Sequence, residues 1–125
     1  MVIRVGTRHD VDQVLAFWGS HAAGRSVTDS TDGLLRLLSV SAEALLVAVE
    51  KGAIVGTVIA TFDGWRCHLY RLAVAPDFRR QGVARSLIDE AHRRLAALGG
   101  SRAGAIVERK NNLGQSFWKI GRAHV

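Results

Sequence analysis

The chain has one cysteine, Cys67, so no disulfide can form within it. Its stability rests on packing and hydrogen bonds, and a reducing, cytoplasmic location is expected. Glycine and proline form few clusters and 48% of the residues are hydrophobic, which points to a globular chain rather than a disordered one. No apolar run reaches the roughly 20 residues that a membrane span needs, so no membrane partner is expected. The start, Met1-Val-Ile-Arg-Val5, lacks the charged lead and apolar core of a signal peptide. The five histidines do not fall at metal-ligand spacing, so no metal is expected. Acids are outnumbered, 11 Asp+Glu against 17 Lys+Arg, and the net charge of +6 suits an anionic partner. The basic residues are spread out and no aromatic row interleaves with them, so nucleic acid is not the expected partner. Neither a G-x-x-x-x-G-K-[ST] loop nor a G-x-G-x-x-G fingerprint is present.

What is present fits one domain of 125 residues, enough for a modest core. Val2–Val5 reads as a first strand. Asp10 is placed to cap a helix from Val11 to about Ala22, with Val11, Val14, Leu15 and Trp18 on one face. Residues 26–31 are polar and loop-like, and Asp32 is placed to cap a helix carrying Leu34, Leu35, Leu37 and Leu38. Leu45–Glu50 and Ala53–Phe62 read as strands about the turn Lys51-Gly52. Gly56 suggests a bulge or a close approach. Asp63-Gly64 signals a two-residue turn before a strand from Trp65 to Val74. A helix from Val83 carries Val83, Leu87, Ala91 and Leu95 in one row, widened by Ala84, Ile88 and Leu98, and ends at Gly99-Gly100. Residues 102–107 read as a strand reached by crossover, and Asn111 to about Lys119 as a last helix. The order β-α-α-β-β-β-α-β-α predicts an α+β fold, a mixed, mostly antiparallel sheet in a three-layer, α/β/α-like arrangement.

The helix at Val83 opens unusually. Helix starts favour Ser, Thr, Asp or Asn at the cap and acids in the first turn. Here Arg79-Arg80-Gln81-Gly82 leads in, Arg85 sits in the first turn, and no acid comes before Asp89. Positive side chains at the positive end of a helix repel it, and the free N–H groups still need acceptors. A docked anion answers both needs, and Gly82 with the small Ala84 leaves it room. A solvated basic turn is the plain alternative, and the anion could be a diphosphate, an acidic protein or nucleic acid.

Arg79-Arg80-Gln81-Gly82-Val83-Ala84 resembles the [RQ]-x-x-G-x-[GA] pattern of the GNAT (Gcn5-related) N-acetyltransferases. Leu72-Ala73-Val74-Ala75-Pro76 before it is similar to the end of that family's fourth strand. The resemblance implies an acetyl-CoA-dependent N-acetyltransferase acting on a primary amine of a small molecule or peptide by direct transfer in a ternary complex. A non-catalytic acyl-CoA-binding or interaction module, inactive through truncation, is the alternative. It implies cofactor contacts from Leu72, Ala73, Val74, Arg79, Arg80, Gln81, Gly82, Val83, Ala84 and Arg85, with the diphosphate on backbone N–H groups. Self-association into a homodimer is left open.

A second segment, Val107-Glu-Arg-Lys-Asn111-Asn-Leu-Gly114-Gln-Ser-Phe117-Trp118, resembles the family's V-x-x-x-N-x-x-[AG]-x-x-[FL]-[YW]. The resemblance implies that Asn111 contacts the pantetheine side of the cofactor and that Phe117 packs near the thiol. Asn111 reads equally as a helix cap, and Phe117 as core. Many family members carry Tyr where this chain has Trp118. Indole N–H is only a donor, so the acid role of that tyrosine does not carry over. Beyond Trp118 the family's closing strands have no counterpart. Residues 1–119 are therefore expected to form an incomplete acetyltransferase domain. Ile120-Gly-Arg-Ala-His-Val125 translates a common sequencing-adapter sequence, and 120–125 are expected to be a non-native tail.

The catalytic base is not assigned by the sequence. Strict alternation along the fourth strand puts Trp65, Cys67, Leu69 and Arg71 on one face and Arg66, His68, Tyr70 and Leu72 on the other. His68 and Tyr70 are weak candidates on that count, and Glu108, just past the fifth strand, is a third. The family's oxyanion donor, a backbone N–H, falls here at Leu72 to Val74.

Overall fold

The computed structural model describes residues 1–22, 29–100 and, for the backbone, 105–107. The elements are β1 (Val2–Val5), α1 (Val11–His21), α2 (Thr31–Val40), β2 (Leu45–Glu50), β3 (Ala53–Phe62), β4 (Cys67–Val74), α3 (Val83–Ala97) and β5 (Ala105–Val107). Short 3-10 turns at Arg8–Asp10 and Pro76–Phe78 precede α1 and α3. The strands lie in the order β1-β2-β3-β4-β5. The first four pair antiparallel, and β5 runs parallel to β4 after the α3 crossover. The predicted helix from Asn111 to about Lys119 lies outside the described residues.

β2 shows why the sheet sits between two layers. Leu46 and Ala48 pack toward Val83, Leu87, Ala91 and Leu95 of α3. Leu45 and Val47 pack toward Val14, Phe17 and Trp18 of α1 and Leu34 of α2. A strand buried on both faces reads as a continuous apolar run, as Leu45–Val49 does. The turn between β2 and β3 uses left-handed backbone at Lys51 (φ 51°) and Gly52 (φ 80°), matching the twist of a tight hairpin.

Gly56 answers both readings of its position. The β2–β3 register shifts beside it, from Ala48↔Gly56 to Val49↔Ile54. A methyl added there would meet Leu87 Cδ1 and Val83 Cγ1 at 3.0 Å each. The central helix therefore rests on the sheet at this glycine.

Several expectations are corrected at the ends of elements. Asp10 does not cap α1 with its side chain. Its carboxylate instead accepts the Thr7 backbone N–H at 2.8 Å and two bonds from Arg4 at 2.8 and 2.9 Å. Thr7 is the cap, at the start of the 3-10 turn. Ser30, not Asp32, caps α2, its Oγ accepting the Gly33 N–H at 3.0 Å. β4 begins at Cys67, because Asp63 folds back onto the N–H groups of Trp65 and Arg66. The connection thus spans residues 63–66, and Trp65 is exposed beneath the Arg66 guanidinium. Leu98 is exposed as well: α3 ends at Ala97, and the Gly100 N–H returns to the Leu95 carbonyl at 2.8 Å.

The alternation along β4 is broken, which overturns the predicted face assignment. Register runs from Thr57↔Ala73 to Ile59↔Tyr70, so two β4 residues, Arg71 and Leu72, oppose Val58 alone. Cys67 and Leu69 before the bulge, and Leu72 and Val74 after it, all face α3. His68 and Tyr70 therefore do not share a face with Leu72.

Candidate active site

The start of α3 has no cap of its own. Gly82 occupies the N-cap position in left-handed backbone (φ 81°), no side chain bonds there, and the first turn holds no acid. Arg80 before it is also left-handed (φ 64°). The side chains of Val83 and Ala84 are buried, whereas Arg79, Arg80, Gln81, Gly82 and Arg85 are exposed. Arg79 and Gln81 shape the turn: Arg79 Nε donates to the Val74 carbonyl at 3.3 Å and Gln81 Nε2 to the Asp77 carbonyl at 2.9 Å. Arg85 lies 4.0 Å from Asp89. A hollow of about 290 Å³ lies against this turn, lined by Val74, Phe78, Arg79, Arg80, Gly82, Val83 and Ala84.

The end of β4 runs beside it. Among the described residues, the β4–β5 ladder stops at Leu69↔Val107. The Ala75 N–H bonds the Val55 carbonyl at 2.9 Å, so it points to β3. Successive N–H groups of an extended strand point to opposite edges, so the Val74 and Leu72 N–H groups point to the β5 edge, past the last described pair of that ladder. The side chains of Leu72, Ala73 and Val74 are buried, leaving backbone as the chemical face of this segment.

A second hollow, of about 530 Å³, lies on the α1–α2 side of the sheet. Its walls are mainly apolar, from Trp18, Leu34, Leu37, Val40 and Ile59, with Thr61, Tyr70, Arg36, Asp29 and Arg71 also contributing. Asp29 is engaged by Arg71, whose Nε and Nη2 donate to it at 3.1 and 2.6 Å. Tyr70 lines this hollow, and His68 stacks beside it with ring centroids 5.9 Å apart. His68 Nε2 is 3.2 Å from Asp63 Oδ2. The Arg66 and Trp65 backbone N–H groups, and then His68, hold the Asp63 carboxyl down at about 2. Among the described residues no group of three or more His, Cys, Asp or Glu is placed to hold a metal ion, and no helix is long and apolar enough to cross a membrane.

The sequence profile of the Acetyltransferase (GNAT) family matches residues 13–121. The chain belongs to this family. An acetyltransferase of Yersinia enterocolitica is 36% identical over 112 residues, 90% of this chain and 79% of the relative. An acetyltransferase of Pectobacterium atrosepticum is 33% identical over the same shares. Among solved structures, the PaiA N-acetyltransferase of Thermoplasma acidophilum, in complex with coenzyme A, is similar with a TM-score of 0.70. It is 18% identical, over 96% of this chain and 87% of that one. The GNAT chain is an N-acetyltransferase, and its fold is the α+β arrangement expected of the family.

In this acetyltransferase the residues from Leu72 to Arg85 come together as one strand end and one helix start. Asn111, Phe117 and Trp118 lie outside the described residues, as does Glu108. Of the three base candidates, Tyr70 reaches the larger hollow and His68 is its neighbour. Sequence reasoning missed Trp18, Asp29, Thr57 and Arg71 as a group. The visible signal was a charge, Arg71, inside an otherwise apolar run; nothing in the sequence marks Asp29 as its partner.

Proposed function

We propose that this enzyme takes its acetyl group from acetyl-CoA and transfers it directly to a primary amine of a small molecule or peptide while both are bound. The observation that carries this reading is the uncapped, basic start of α3 around Gly82, set against a hollow at the end of β4. A diphosphate fits that start, because free N–H groups and the helix dipole both favour an anion. The coenzyme A bound by the similar Thermoplasma protein supports the same reading.

When bound, acetyl-CoA supplies an activated acetyl thioester. The backbone around Gly82 to Arg85 would hold its diphosphate, with Arg80 adding charge. The outward N–H groups of Leu72 and Val74 are suited to the pantetheine arm and to an oxyanion. The 530 Å³ hollow is suited to the acceptor. Its described acid, Asp29, is already met by Arg71, so an acceptor is gripped there mainly through an apolar body. Tyr70, with His68 beside it, is the described group nearest to a proton-accepting role. A cytoplasmic location belongs to this reading.

The test is a thermal shift with millimolar acetyl-CoA, followed by CoA release measured with a thiol reagent across a panel of primary amines. A raised melting temperature and turnover with at least one amine are expected. No shift at high acetyl-CoA would overturn the reading. A shift without turnover across the panel would favour an acyl-CoA-binding module.

A further inference from the structure

The acceptor hollow and the β5-side edge of β4 meet within five consecutive residues of β4. Tyr70 and Arg71 line the hollow; Leu72 to Val74 carry the outward backbone donors. The bulge lies between them, and there Arg71 takes a φ of 51°. A residue with a side chain keeps left-handed backbone only where its surroundings determine it. Three contacts do so. The Thr57 hydroxyl donates to the Arg71 carbonyl at 2.9 Å. Trp18 Nε1–H donates to the same hydroxyl at 2.8 Å. Asp29 takes the Arg71 guanidinium by two bonds, and that guanidinium lies 5.9 Å from the Trp18 ring centre. Thr57 is fully buried and Arg71 nearly so.

The extra residue in β4 is demanded by the core. Without it, Cys67 and Leu69 could not face α3 together with Leu72 and Val74. Core burial does not dictate where the Arg71 carbonyl points, however, and that carbonyl orients the peptide leading into Leu72. The buried hydroxyl and the ion pair supply that direction.

We propose that Trp18, Thr57 and Asp29 are positioning residues, which hold the Arg71 bulge so that the acceptor hollow and the Leu72–Val74 donors stay in phase. The inference rests on the acetyl-transfer reading. It assigns these residues an effect on transition-state alignment rather than on binding of acetyl-CoA.

The test compares Thr57→Val, which removes the hydroxyl and keeps the shape, with Thr57→Ser, which keeps the hydroxyl. Asp29→Asn provides a second, less buried disruption. Melting temperature, KM for acetyl-CoA, kcat with an accepted amine and backbone amide NMR shifts are read on each. Thr57→Val and Asp29→Asn should lower kcat about 10- to 100-fold with KM for acetyl-CoA moved less than about threefold, as misalignment of bound reactants does. Thr57→Ser should restore kcat to within about threefold. The Leu72 and Val74 amide signals should move in Thr57→Val while those near Leu95 stay. Should Thr57→Val fail to fold, Asp29→Asn carries the comparison. The proposal is overturned by full kcat in a folded Thr57→Val or Asp29→Asn, or by Thr57→Ser losing as much as Thr57→Val. Unmoved Leu72 and Val74 signals overturn it too. A wild type that neither binds acetyl-CoA nor turns over overturns the acetyl-transfer reading, and this inference with it; binding alone marks the difference.

Discussion

Three helix starts in this molecule solve one problem in two ways. The start before α1 is closed by its own residues: Thr7 caps, Asp10 returns to the Thr7 N–H, and Arg4 seals the carboxylate. α2 is closed by Ser30. α3 has a glycine at the cap, arginines around it and no acid in its first turn. The chain therefore has the means to cap helices and does not use them at α3. An open helix start is destabilising by itself. It sits beside a hollow at the end of β4, where the proposed diphosphate would meet it.

The comparison can be broken most severely at Gly82. A Cβ there meets nothing within 4 Å, so Gly82→Glu should fold, while its carboxylate enters the space of the proposed diphosphate. Acetyl-CoA affinity by calorimetry should fall about 100-fold or more, equivalent to roughly 2.7 kcal/mol. Gly82→Ala should cost only the left-handed backbone strain, roughly 1 kcal/mol, with a much smaller loss of affinity. Equal affinity in the glutamate variant would end the distinction between open and closed starts.

The converse change is made at the closed start. Asp10→Ala should lower unfolding free energy by about 2 kcal/mol in urea titration and leave acetyl-CoA affinity unchanged. Its carboxyl is held down at about 2, first by the Arg4 side-chain bonds and then by the Thr7 N–H, against an ordinary 3.8. The unfolded chain therefore binds this proton more readily between those values. The stability Asp10 contributes is present above 3.8 and is lost as pH falls toward 2. Asp10→Asn should flatten that part of the stability–pH curve, leaving a residual slope from Asp63. An unchanged slope would show that the α1 start is not held by this charge.

A smaller effect sharpens the contrast by charge alone. Arg80 is exposed, so Arg80→Glu should weaken acetyl-CoA roughly 10-fold at low salt and less as salt screens it. Stability should hardly move. A loss that ignores salt would mean that Arg80 acts through its left-handed backbone and not its charge.

Periodic features were legible from residues alone. The α3 stripe, the buried run of β2, the Lys51-Gly52 turn and the tight packing at Gly56 each follow from a local pattern that burial rewards. The basic approach to Gly82 was legible because it contradicts helix-cap chemistry. The caps at Thr7 and Ser30 were misread because Asp10 and Asp32 offer equally good local chemistry. Arg4, six residues before Asp10, decided the first case by taking that carboxylate for itself. The β4 bulge was illegible in principle. Strict alternation is the rule a lone strand offers; its breakage here is demanded by burial against α3, and the direction of the Arg71 carbonyl is set by Thr57 and Asp29, brought to Arg71 from β3 and from the segment before α2.

Gly56 has a consequence beyond packing. Val83 and Leu87, one helical turn apart, straddle it, and Val83 is the first residue after the open cap. A missing methyl group on β3 thus indexes both the height and the rotation of α3 along the sheet. Any side chain at position 56 would act as a shim under the helix and tilt its leading turn away from the β4 edge. The geometry of the leading-turn amides is in this sense written into the floor of the sheet.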